Sequence, residues 1–299
     1  MSLKCGLFFL SVLALAFATA GTFPARADDA PAASPGLSEG PELQEGFRQL
    51  YTLHFPEARS TFHSWGDAHA GESFPQAAIA ATYLFEELYR QGVLSSDFFL
   101  NEKRFLHGIQ GKPNGERMKD FRGALTNARA LAKARLAKHP KDPEALFALT
   151  MCAGMESNAD SMLEKKQVDA LKMIKEANQH AKELLAQRPD TVDAYVALGS
   201  ANYIIGSLSA GARFMLRFGN IHGDKKLGME QMQNAADKGR YLKPFAQILL
   251  ALAARREKKN ELAQKLLREL TQEFPSNALY ETEYAKAMGH PIPAEIHAN

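Results

Sequence analysis

Cysteine is nearly missing from this chain. It has two among 299 residues, and Cys5 lies at the head of an N-terminal apolar stretch. Cys152 alone remains beyond that stretch, which excludes an intramolecular disulfide in the remainder and leaves the fold to packing. Cys152 sits among Leu149, Met151 and Met155 on a predicted helix, where a buried inert thiol is expected rather than a nucleophile. Charge of one sign is also lacking. Lys4 and Arg26 are the basic residues of the first 27, and no acidic residue precedes Asp28. Of the 36 basic and 34 acidic residues, 34 of each sign follow. A neutral chain has little bulk electrostatic reason to hold nucleic acid or an anionic membrane. The pI of about 8.4 is therefore no nucleic-acid signal. No apolar run after the N-terminus reaches membrane-spanning length. No stretch alternates apolar and polar residues for long, so no sheet is expected.

Signatures of chemistry are absent as well. There is no His-Glu-x-x-His. Gly111-Lys112 lacks the upstream glycine of a phosphate loop and runs into Pro113. Gly36-Leu37-Ser38-Glu39-Gly40 fits a nucleophile elbow in letters only, because that turn needs a strand before it. His63, Asp67 and His69 are the nearest approach to a metal cluster and lack a further strong ligand. Glu86 and Glu87 are adjacent on a helix and point in different directions, and Glu87 with Arg90 reads as a surface pair. The expectation is no enzyme, no cofactor and no metal.

The N-terminus reads as an address. Lys4 precedes an apolar run from Gly6 to Ala18, with small-residue cleavage sites at Ala18-Thr19-Ala20 and Ala25-Arg26-Ala27. The second, just before Asp28-Asp29, is the favoured end of a signal peptide over 1–27. The mature chain is then expected to be exported, to the periplasm or beyond the cell. Residues 28–41, rich in Ala, Pro, Ser and Gly, read as a flexible lead-in, and 291–299 as a tail.

Between them, 42–290 reads as one helical domain with an internal repeat. Ala263, Leu267 and Leu270 precede Pro275 with the spacing Ala-x3-apolar-x2-apolar-x4-Pro. The same count from Pro189 gives Ala177, Ala181 and Leu184, and from Pro140 it gives Ala128, Ala132 and Arg135. Ala58 and Phe62 form the same pair after Gly46, Phe47, Leu50 and Tyr51. Tyr195, Leu198, Gly199 and Tyr203 open a further unit after Pro189. This pattern resembles the tetratricopeptide (TPR) repeat, with an aromatic, Leu, Gly and Tyr on a first helix, then small and apolar residues and a late Pro on the second. The unit at 192–243 departs from it, with Tyr241 where the late Pro belongs.

The resemblance implies an all-α, right-handed superhelical array of antiparallel helix pairs. Its units are 39–72, 73–142, 143–191, 192–243 and 244–277, followed by a covering helix. Ala58, Phe62, Ala128, Ala177, Gly199 and Ala263 become the packing positions. Each hairpin is expected to bury its inner face against its neighbours alone. Insertions fall at 92–116, 156–170 and 207–228.

In TPR arrays the first helices line a concave groove. Carried onto this chain, the groove candidates are Phe147, Met151, Met155, Val196, Tyr203, Ile204, Phe245, Ile248 and Leu252. The expected function is a non-catalytic scaffold for a protein or peptide partner. The alternative is a ligand-holding partner of an uptake transporter, with an apolar small molecule in the groove. The insertion from Ser207 to Gly228 carries Phe214, Met215, Leu216, Phe218 and Ile221, enough to cover the groove. Arg213 and Arg217 beside them suggest an interfacial helix, but Gly206, Gly211 and Gly219 interrupt the pattern. Membrane contact is therefore not expected.

Overall fold

A computed structural model describes residues 37–101, 108–218 and 221–290, apart from the side chains of residues 212, 215 and 218. The signal peptide, most of the lead-in and the tail lie outside the described residues, as do the side chains of Met215 and Phe218. Every regular element among the described residues is helical. In chain order they are α1 (Pro41–Tyr51), α2 (Phe55–Ala68), α3 (Phe74–Arg90), α4 (Ser96–Leu100), α5 (Gly115–Lys138) and α6 (Pro143–Asn158). A π-turn at Ala159–Leu163 follows. Then come α7 (Gln167–Gln187), a 3-10 turn at Val192–Ala194, α8 (Tyr195–Ser207), α9 (Ala210–Phe218), α10 (Lys225–Lys238), α11 (Lys243–Arg256), α12 (Asn260–Glu273) and α13 (Ala278–Met288).

Local chemistry sets these boundaries. Five helices, α1, α2, α3, α6 and α11, carry proline in their first two positions, where its missing N–H leaves no bond unmade. The side chains of Asn114, Asp142, Asp224 and Asn277 each accept a hydrogen bond from a first-turn N–H of α5, α6, α10 and α13, a cap worth about 1 kcal/mol. Helix α3 stops before Gly92, whose φ of 66° lies in the left-handed region that glycine adopts without strain.

The helices pack mainly as consecutive pairs: α1 with α2, α3 with α5, α6 with α7, α8 with α10, and α11 with α12. Each second helix also packs on the helix that opens the next pair. Small residues set how closely paired helices approach. Gly199 of α8 lies against α10, where an added Cβ would stand 2.7 Å from Met232 Cγ and 2.9 Å from the Gly228 carbonyl oxygen. Gly228 in turn lies on the Tyr203 and Gly199 backbone. The notch at Gly199 thus serves its own hairpin. Ala58, Phe62, Ala128, Ala177 and Ala263 are buried.

Long-range packing corrects the expectation that hairpins touch only their sequence neighbours. The first hairpin packs on the last. Phe47 of α1 lies 5.1 Å from Phe62, 5.8 Å from Phe74 and 5.0 Å from Tyr241, ring centre to ring centre. Tyr51 meets Phe274 at 5.7 Å, and the Asn277 side-chain amide donates to the Tyr51 carbonyl at 2.8 Å. One contiguous core therefore runs from Leu43 to Tyr280. Burying each such aromatic contributes up to about 3 kcal/mol, so closing the array adds stability that an open one lacks.

A second correction concerns Glu86 and Glu87. Glu87 is fully buried. Arg117 of α5 grips both carboxylates, at 2.9 Å from Glu86 and 2.7 Å from Glu87, while Arg90 stands 4.0 Å from Glu87 at the periphery. Glu87 also accepts from the Gln91 side chain at 2.8 Å and the Asn114 N–H at 3.0 Å. Arg59 of α2 reaches Glu86 at 2.7 Å and lies 4.6 Å above the Tyr83 ring. The guanidinium forks span two adjacent carboxylates that helical geometry alone would separate.

Candidate functional site: an apolar slot where the ends of the array meet

The groove candidates divide into two groups. Phe147, Met151, Met155, Val196 and Tyr203 are buried in the core. Phe147 packs on Phe74 with ring centres 5.4 Å apart. The Tyr203 hydroxyl donates to the Ala253 carbonyl at 3.3 Å and to Glu257 at 3.1 Å; burial and the adjacent carboxylate push its pKa up to about 12. These five side chains serve packing within the chain. Ile204 is exposed. Phe245, Ile248 and Leu252 of α11 are half-buried and line an apolar slot of about 80 Å³.

Both ends of the array build the slot. Leu50, Tyr51 and Leu53 come from α1 and the turn after it, Phe55 from α2, and Phe85 from α3. Leu94, Ser96 and Phe99 come from the insertion around α4, and Leu279, Tyr280 and Glu283 from α13. Phe85 meets Phe245 edge-on at 5.3 Å. One rim is polar. Arg255 donates to Ser96 Oγ at 2.6 Å and lies 3.5 Å from Glu283. Lys286 links Glu283 at 3.0 Å to Asp97 at 2.7 Å. These bonds fasten α4 to α11 and α13.

The insertions do not behave alike. Part of 92–116 reaches the α11 face through α4. It is steadied by 156–170, where the Ile109 N–H donates to the Met162 carbonyl at 2.9 Å. In the segment 207–228, Phe214 is 59% exposed and Leu216 and Ile221 are half-buried, while the side chains of Met215 and Phe218 lie outside the described residues. Helix α9 is short, and Arg213 ties it down by donating to the Gly206 and Leu208 carbonyls. The aromatics of the α4 insertion, Phe98 and Phe99, are the ones that sequence reasoning passed over. Their signal was an apolar pair inside a stretch with no helical period.

A polar recess lies elsewhere, bounded by Leu37, Ser38, Glu39, Glu72, Arg135, Glu144 and Arg188. Glu144 is held there by the Ser73 hydroxyl and the Phe74 N–H, and burial raises its pKa. The bonds it accepts are those of a helix-start anchor. Among the described residues, no group of three His, Cys, Asp or Glu side chains is placed to hold a metal ion. His69 stacks on Trp65 with ring centres 3.8 Å apart. No described helix is long and apolar enough to cross a membrane. Comparison with known proteins found no matching family model and no matching curated protein.

Proposed function

We propose that this chain is an exported, non-catalytic TPR-like protein that holds an apolar small molecule in the slot between its first and last hairpins. The TPR-like reading is supported by helix pairs in the expected order and by small residues at Ala58, Ala128, Gly199 and Ala263. The export reading rests on the N-terminal pattern. The observation that carries the ligand reading is the slot itself: Phe245, Ile248 and Leu252 line it together with Phe85 and Phe99 and leave an apolar space unfilled. Apolar cavities of this kind stay dry and take apolar guests. Placement between two parts of the chain suits ligand capture. A role as binding partner of an uptake transporter would use the slot in this way. The test is mass spectrometry of protein purified natively from its own host. A co-purifying apolar metabolite, lost in Leu252→Trp, is expected; an empty protein that also binds no apolar dye overturns the reading.

A scaffold for a protein or peptide is the second reading, and one observation favours it. Phe214 stands exposed on α9, and Ile204 is exposed in the last turn of α8. The contact surface would then include the exposed face of α9 rather than the buried first-helix residues. A pull-down from envelope extract, with Phe214→Ser as comparison, tests it: a partner lost in the variant supports a scaffold.

A further inference from the structure

We infer that the polar recess is a second binding site, separate from the slot, and that it takes a small zwitterion of the α-amino acid class, with the carboxylate at Arg135 and the ammonium at Glu72. The inference does not rest on the ligand reading above. The recess has a volume of about 440 Å³, within the ~300–1,000 Å³ common for small-molecule sites. Its walls come from the chain before α1, the turn before α3, the end of α5, the start of α6 and the residue after α7. They carry charges of both signs. Glu39, Glu72 and Glu144 oppose a simple anion, and Arg135 and Arg188 oppose a simple cation. Leu37 is the apolar member, so an apolar guest gains little there.

The opposite charges are held apart. Among the described residues, Arg135 forms no ion pair with Glu72, nor Arg188 with Glu39. Each is anchored on its own side instead. Arg135 Nε lies 2.7 Å from Asp142, and Arg188 makes a fork on Asp190 at 2.9 and 3.0 Å. Glu72 accepts from the Trp65 indole at 2.9 Å, and Glu39 pairs with Arg240. Glu144 is occupied by the Ser73 hydroxyl and the Phe74 N–H. What remains is complementary: both Nη atoms of Arg135, Nη1 of Arg188 and Oε1 of Glu72 make no hydrogen bond among the described residues. The charges still sense each other across the gap. The pKa of Arg135 is raised chiefly by Asp142, with smaller contributions from Glu144 and Glu72, and that of Arg188 chiefly by Asp190, with a smaller one from Glu39. A molecule with an ammonium and a carboxylate on one carbon bridges such a gap. It gives each wall a charge-assisted hydrogen bond from groups already fixed in place. Arg188 and Glu39 then face the ligand side chain, which favours a polar one.

Trp65 is the sole tryptophan and its indole binds a recess carboxylate, so its fluorescence reports occupancy. Fluorescence and calorimetric titrations of the full chain with serine, 3-hydroxypropanoate and ethanolamine test the site. The second compound lacks the ammonium and the third lacks the carboxylate. Serine is expected to bind at least about 10-fold more tightly than either, as loss of one charge-assisted hydrogen bond implies. Glu72→Gln should weaken serine by about 10- to 100-fold and bring it level with 3-hydroxypropanoate. Arg135→Gln should bring it level with ethanolamine. Leu252→Trp, in the slot, should leave serine binding unchanged. Circular dichroism of each variant checks that the helices persist. If 3-hydroxypropanoate binds the wild type as tightly as serine, the recess is an anion site and the inference fails. If neither serine nor glutamine binds the wild type, the inference fails and the slot reading is untouched.

Discussion

Tyr51 and Tyr241 lie 190 residues apart, and the hydroxyl of the first donates to the carbonyl oxygen of the second at 2.9 Å. Tyr241 passes the link on, donating its own hydroxyl to the Ser38 carbonyl at 2.7 Å. Asp193 steadies the turn that carries Tyr241 by accepting from the Arg240 and Leu242 N–H groups. Three distant segments are thus joined by neutral and charge-assisted bonds around one buried ring.

This clasp makes the ends of the array as firm as its middle. In arrays whose repeats touch only their neighbours, stability is local. Here, amide hydrogen exchange should show α1 and α13 protected to a degree similar to α6. Tyr51→Phe should cost about 1 kcal/mol and lower protection in both end helices together. Rapid exchange of α1 in the wild type would count against the clasp.

Two glycines make opposite predictions. Gly199→Ala forces a methyl into contact with Met232 and the Gly228 carbonyl, and should cost about 1–3 kcal/mol by overpacking. Gly211→Ala on α9 meets nothing within 4 Å, and should be neutral or stabilising by up to about 1 kcal/mol through helix propensity. Ala263 is fully buried, so Ala263→Phe should behave like Gly199→Ala. Thermal melts of the three variants check this, and an unchanged melting temperature for Ala263→Phe would contradict the packing register.

Glu87 should mark the acid side of the stability profile. Burial works to raise its carboxyl, but hydrogen bonds from Gln91, Arg117 and the Asn114 N–H outweigh that and hold it below the usual 4.5. A carboxyl lowered on folding stabilises above its unfolded pKa, and that contribution fades as pH falls through the folded value. Glu87→Gln should therefore be less stable than the wild type at neutral pH by about 1–3 kcal/mol, and the difference should shrink below pH 4.5. Urea denaturation at both pH values is the measurement; a constant difference would contradict the linkage.

Cys152 should be silent toward thiol reagents. It is fully buried, and burial pushes its thiol up to about 12. Iodoacetamide at mildly alkaline pH should label it only after denaturant opens the fold. Labelling of the native protein at the rate of a free thiol would contradict its burial.

The helices were largely legible because their starts are written in short-range chemistry. Asp142-Pro143 and Phe74-Pro75 mark first turns whatever lies around them, and Gly92 and Gly239 mark ends. The interior places of Ala177 and Gly199 were legible from periodicity. The meeting of first and last hairpins was not. The contact of Phe47 with Tyr241 depends on how all the intervening helices pack, and no local pattern records that. The slot was half legible for the same reason. Phe245, Ile248 and Leu252 follow from helical spacing, but Phe85, Phe99 and Arg255 join them only once the ends have come together. Glu87 misled because adjacent residues on a helix do diverge; an arginine on a neighbouring helix, far away in sequence, reunites them.

A chain whose first and last helix pairs touch is tied at both ends. Adding or removing one hairpin would carry Tyr51 away from Tyr241 and Asn277, so growth by duplication of whole units is closed to this architecture. Length can change more freely in the connections within pairs, around α4, the π-turn and α9.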